Sequence, residues 1–172
     1  MYRSLSLTRT HRICTSLFSF HSTVINAYAN RATANSGINA DAILRRMIHR
    51  YLLGDNKCRP NAVAFTATIK AHSAAINATI SSLDCTEDGE VDEMIQSSAR
   101  RCEDLLQQLC LLGRSYAYDQ SLKPTGVTFE LVISALTQAG DWDGVERVKK
   151  LREEGSTNTV ERVKVSETRS RL

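Results

Sequence analysis

Apolar residues recur along most of this chain at intervals of three and four, the spacing that places them on one face of an α-helix. Phe129, Val132, Ile133 and Leu136 stand at i, i+3, i+4 and i+7, and Phe65, Ile69, His72 and Ile76 follow the same kind of stripe. Neither set alternates as a half-buried strand would. A second helical pattern follows each, in Cys102, Leu105, Leu106, Leu109 and Leu112 and in Val145, Val148 and Leu151. An earlier one runs through Ile43, Leu44, Met47, Ile48, Tyr51 and Leu52. The period predicts an all-α fold.

Helix ends are marked as well. Proline has no N–H to donate and disfavours helix in the residue before it, so Pro60 and Pro124 fit helices that begin just after them. Gly54, Gly113 and Gly155 are predicted to end the second helices with a left-handed residue. Gly140-Asp141 reads as a turn, with Asp141 the N-cap of the last helix and Trp142 packing over its start. The small and Asn-rich stretch from Ala29 to Asn39, and Asn77 to Gln96 with its acidic block, are predicted as loops inserted between paired helices.

These elements repeat. Residues 62–71 read A-V-A-F-T-A-T-I-K-A and residues 126–135 read G-V-T-F-E-L-V-I-S-A, with Val, Phe, Ile and Ala at the same offsets. A proline precedes each phenylalanine by five positions, so both pairs are 64 residues apart. A weaker copy, Ser22-Thr23-Val24-Ile25-Asn26-Ala27, has His21 where the others have Phe. The resulting organisation is a basic tail over 1–16, a helical repeat domain over 17–155 with units of about 18–61, 62–125 and 126–155, and a C-terminal tail over 156–172 expected to be disordered.

Composition narrows the function classes. At 172 residues, 42% apolar and 24% charged, the chain is long enough for one packed domain. The most apolar stretch, Ile43 to Leu53, is broken by Arg45, Arg46, His49 and Arg50 and is too short to span a membrane. Five scattered cysteines without a Cys-x-x-Cys pair, and four histidines with no i, i+4 pair, predict neither a disulfide framework nor a metal site. No nucleophile elbow, phosphate loop or His-Glu-x-x-His occurs, so neither catalysis nor a cofactor is expected. The net charge of +3 is unevenly spread: Arg3, Arg9, Arg12 and Arg31 precede the first acid, Asp41. With its Ser, Thr and Leu, this start has the composition of a mitochondrial or plastid transit peptide; as a plain basic tail it would leave the chain cytoplasmic.

The unit from Val127 to Ala135, followed by Ala139-Gly140 and a second helix, resembles a pentatricopeptide repeat (PPR). That pattern runs Val-x-Thr-Tyr-x-x-Leu-Ile-x-Ala, a Gly turn, a second amphipathic helix, then Pro-Asp or Pro-Asn, which Arg59-Pro60-Asn61 and Lys123-Pro124-Thr125 resemble. Two units exceed the family's usual length of about 35 residues. The resemblance implies a right-handed α-α superhelix, or solenoid, that binds single-stranded RNA at one base per repeat in organellar RNA processing or stability.

The resemblance also implies which residues read the bases. The residue after the helix aromatic and the residue after the boundary proline meet the base edge, and the residue two before the aromatic packs on the base face. Here these are Ser22 with Asn61, an adenine-type pair, Thr66 with Thr125, and Glu130 without a terminal partner; Val63 and Val127 take the packing position. Each polar residue also has a local explanation. Asn61 and Thr125 suit N-caps, Glu130 suits a helix start, and Ser22 and Thr66 suit first turns. Three units supply about 3 to 9 kcal/mol before ordering costs, which corresponds to micromolar or weaker affinity.

Arg45-Arg46, Arg100-Arg101 and Lys149-Lys150 recur on the second helices, which form the outer face in the family, so they are expected to be solvated. The alternative function is a helical-repeat scaffold for a protein or peptide partner. A positive groove with exposed Val63 and Val127 favours RNA, and a broad apolar groove favours the scaffold.

Overall fold

The computed structural model describes residues 21–82, 88–116 and 119–169, with the backbone alone given for 88–90 and 156–169. The expected transit peptide over 1–16 lies outside the described residues. Helices account for the chain: α1 over 21–31, α2 Ser36–Leu52, α3 Ala62–Ser81, α4 Asp88–Ser115, α5 Gly126–Gln138 and α6 Trp142–Arg169. Among the described residues there is no strand.

Helix α3 is central. It packs against α2, α4 and α5, while α5 also packs against α4 and α6. The core runs through these contacts, with Ile25 of α1, Leu44 and Met47 of α2, and Phe65, Ile69 and Ile76 of α3 fully buried. Leu105, Leu106 and Leu109 of α4 and Val132 and Leu136 of α5 continue it. Removing each such side chain from water contributes about 1.5 to 3 kcal/mol. The periodic stripes therefore face inward as predicted, except that Leu52 is exposed at the end of α2 and Trp142 is 65% exposed instead of covering the start of α6.

The starts of α3 and α5 are set by side chains. Asn61 Oδ1 accepts from the Ala64 N–H at 2.9 Å, and Thr125 and Thr128 form a reciprocal capping box. Asp141 Oδ1 likewise accepts the Gly144 N–H at 2.8 Å. Gly54 and Gly140 have φ of 93° and 71° and close paired turns in which Asp55 N–H donates to Arg50 O and Asp141 N–H to Leu136 O.

Several predicted boundaries are corrected. Only 32–35 separate α1 from α2, because Ser36 and Gly37, whose smallness reads as a linker, are buried in the first turn of α2, Gly37 against His72 of α3. A Cβ on Gly37 would lie 2.4 Å from His72 Nδ1. The inserted acidic segment is also mostly helix: α3 runs to Ser81 and α4 begins at Asp88, placing acids where the helix dipole favours them.

Gly113 lies inside α4, and its missing side chain admits the returning chain, since a Cβ there would sit 3.0 Å from the Leu122 carbonyl oxygen. Gly155 does not stop α6, which continues to Arg169 through the segment predicted to be disordered. No proline or further glycine follows to break the propagation.

Buried charge ties non-adjacent helices together. Asp41 of α2, 6% exposed, accepts from Arg101 of α4 at 2.8 Å and from Arg45 at 2.8 Å. Arg101 is thus half-buried and paired, a correction to its expected solvation. Glu103 of α4 takes Nε and Nη2 of Arg147 on α6, both at 2.9 Å.

Gly37→Ala should destabilise the fold by about 1 to 3 kcal/mol despite alanine's better helix propensity, through overpacking on His72. Chemical denaturation of the single variants and of Gly37→Ala with His72→Ala checks this, with a positive coupling expected in the double-mutant cycle.

Candidate nucleic-acid interface

The first turns of α3 and α5 lie side by side. Thr66 Oγ1 of α3 is 2.9 Å from Thr128 Oγ1 of α5, which is in turn 3.1 Å from Thr125 Oγ1 and accepts the Thr125 N–H at 3.3 Å. Thr128 has no exposed surface, so its hydroxyl, one donor with two lone pairs, is fully used by these three partners. Flanking this chain, Val63 and Val127 are 64% and 65% exposed, unlike the rest of the apolar residues in the two first turns. Two β-branched side chains therefore stand in solvent on the first turns of the two helices that the Thr66–Thr128 contact holds together.

The remaining candidate residues are placed as follows. Asn61 commits its carbonyl oxygen to capping α3, and Thr125 caps α5, so the local explanations hold for both. Ser22 is half-buried in α1 with no hydrogen-bond partner for its hydroxyl, and among the described hydrogen bonds nothing joins it to Asn61. Glu130 is exposed and ion-paired with Arg152 of α6 at 2.6 Å. Lys70 of α3 donates to Asn30 of α1 at 3.0 Å, which ties the end of α1 to α3.

The exposed positions of this face are mostly neutral. Thr66, Lys70 and Asn77 follow Val63 along α3, and Glu130, Ser134 and Gln138 follow Val127 along α5. Their charges are Lys70 and the Glu130–Arg152 pair. Cation-rich positions such as Arg46, Lys149 and Lys150 lie on the second helices and are exposed.

Two features escape a reading of the sequence stripe by stripe. The loops before Pro60 and Pro124 are copies of each other. Asp55 accepts the Lys57 N–H at 3.1 Å and Asp119 the Ser121 N–H at 2.9 Å, each opening a 3-10 turn that buries Cys58 or Leu122. Arg59 of the first loop pairs with Asp119 of the second, fixing the two boundaries against each other. The signal was present, since Asp55 and Asp119 are separated by the same 64 residues as the prolines.

The second feature is a cleft of about 730 Å³ between α2 and α4, lined by Asp41, Arg45, Arg101 and, from α3, His72. Nothing in the sequence pairs Asp41 with Arg101, which is 60 positions away.

His72 is 5% exposed and neither ring nitrogen has a hydrogen-bond partner. Burial pushes its pKa down to about 4, against the pull of Asp41 and with a further contribution from Arg101 and Arg45. Burial also pushes the Cys102 thiol up to about 12, so it stays protonated and is no nucleophile. Among the described residues no three His, Cys, Asp or Glu side chains are grouped as metal ligands.

Because His72 titrates lower in the folded chain than in the unfolded one, the unfolded state binds the proton first on acidification. Its contribution is complete above about pH 6.5 and is lost progressively toward pH 4, amounting to about 3 kcal/mol. Denaturation midpoints measured from pH 7 to 4 should fall in the wild type and fall less steeply in His72→Leu. No protein-family model matches the chain, and neither a curated protein nor a solved structure matches it.

Proposed function

We propose that the chain is a short solenoid of PPR-like helical hairpins that binds single-stranded RNA along α1, α3 and α5, in organellar RNA processing or stability. The order of contacts supports the stacking: α2 meets α3, α4 meets α5, and the first helices α3 and α5 meet each other. The observation that carries the RNA reading is the exposure of Val63 and Val127 at matching positions of two adjoining helices joined at Thr66 and Thr128. A flat ring inserted between two such side chains buries apolar surface on both faces, while the hydroxyls supply edge contacts. Nothing in this mode of action requires a reacting group; recognition is passive.

A second reading has its own support. Along α3 and α5 the exposed positions of this face offer Lys70 and the Glu130-paired Arg152, which neutralise few phosphates, and a peptide partner makes no such demand. The two readings separate on salt. With about two phosphate contacts, log Kd against log salt should have a slope of only about 1 to 1.5 for single-stranded RNA.

Fluorescence anisotropy of short homopolymer RNAs at two salt concentrations tests the proposal. Micromolar binding with that shallow slope is expected, and Val63→Ala or Val127→Ala should weaken it about fivefold each. A folded, helical sample that binds no RNA at high micromolar concentration transfers the assignment to the protein scaffold.

A further inference from the structure

The chemistry of one position on this face goes further than RNA binding in general. Glu130 is an acceptor-only side chain in a place where polynucleotide phosphates would repel it, yet Arg152 holds it at 2.6 Å. The Arg152 guanidinium lies across the first turn of α5, with Nη2 3.9 Å from where a Cβ on Gly126 would stand. Arg152 has crossed from α6 to reach α5, so the carboxylate is presented with its charge already balanced. Val127, exposed one turn before Glu130, supplies an apolar surface beside it.

A carboxylate offers two acceptor oxygens side by side and no donor. The base edge that answers it must present two adjacent donors. Guanine does so, with N1–H next to the N2 amino group. Adenine and cytosine each place one amino donor beside a ring nitrogen that is an acceptor, and uracil places its single N–H between two carbonyls. Each of the last three sets an acceptor against the carboxylate.

Building on the RNA reading above, we propose that the third unit selects guanine through Glu130, with Arg152 as the positioning residue that allows a carboxylate to serve on an RNA-binding face. The pair on α3 and α5 has no such bias. Thr66 and Thr125 share one fully used hydroxyl, Thr128, whose proton can point either way, so between them they present one donor and one acceptor in either order. Every base edge can satisfy that arrangement. Discrimination against other bases is therefore concentrated at Glu130.

The test walks a single guanosine through each position of a fluorescent hexauridine, with adenosine, cytidine and inosine walked in parallel, and measures anisotropy with the full chain. One placement of guanosine should bind about tenfold tighter than hexauridine, with no gain for adenosine or cytidine there. Inosine, which keeps N1–H and lacks the amino group, should recover only part of the gain.

Glu130→Gln should abolish the guanosine gain while tightening all the RNAs alike through the Arg152 charge it unbalances, and circular dichroism should be unchanged because both residues are exposed. Arg152→Met should weaken all the RNAs alike by exposing an unbalanced carboxylate. Binding without a guanosine position, or a guanosine gain that survives Glu130→Gln, overturns the guanine assignment alone. A folded chain that binds none of these RNAs overturns the RNA reading and this assignment with it.

Discussion

Everything else in the fold depends on burying α3 on nearly every side. Of its 20 residues 12 are buried, among them Ala62, Ala64, Ala67, Ala71 and Ala75 between the large side chains Phe65, Ile69 and Ile76. A helix this apolar cannot remain at a surface, and one this rich in alanine lets its neighbours come close enough to contact it closely on three flanks. Burial then dictates how its polar groups behave. Thr68 and Thr79 return their hydroxyls to the carbonyls of Ala64 and Ala75, both at 2.9 Å, and Thr66 reaches sideways to Thr128. Neither ring nitrogen of His72 finds a partner, and the ring is kept neutral by the same burial.

The charged residues follow from that arrangement instead of causing it. With α3 enclosed, α2 and α4 flank it, and the buried carboxylate of Asp41 is tolerated because two guanidiniums surround it. Glu103 and Arg147 repeat the device between α4 and α6. Such pairs fix which helix lies against which more than they add stability, since each carboxylate has been taken out of water to make them. The Asp-opened 3-10 turns and the Arg59–Asp119 pair do the same for the loops, bringing the two proline boundaries together and with them the first turns of α3 and α5.

At the surface the result is a face whose exposed positions along α3 and α5 are mostly neutral. Its exposed valines and constrained hydroxyls suit a planar ring better than a phosphate chain, and one of its few charged groups is balanced internally. In the RNA-binding role proposed above, affinity comes from the flat surfaces and edges of bases, which are available only in single strands. The same neutrality is what a peptide would tolerate, and it leaves specificity to side-chain geometry more than to long-range attraction.

The fold was legible in the sequence wherever a helix buries one face. Periodicity located the core of α3, α4, α5 and α6, the proline and Asn or Thr signals located the starts of α3 and α5, and Asp141 that of α6, because capping and helical period act within a few residues. Valine at 63 and 127 and threonine at 66 were legible as a repeated pattern, though not their exposure.

What escaped were features decided by distant neighbours. Gly37 looks like linker until His72 packs on it; Gly113 looks like a helix end until Leu122 returns across it; Glu130 looks unfavourable until Arg152 arrives from another helix. The sequence alone determined the central turns of the helices, the caps of α3, α5 and α6 and the 64-residue repeat, since those depend on neighbours a turn away. The close approach of α2 to α3, the Asp41–Arg101 pair and the balanced charge at Glu130 were decided by tertiary packing, because their partners lie tens of residues apart and meet only once α3 is buried.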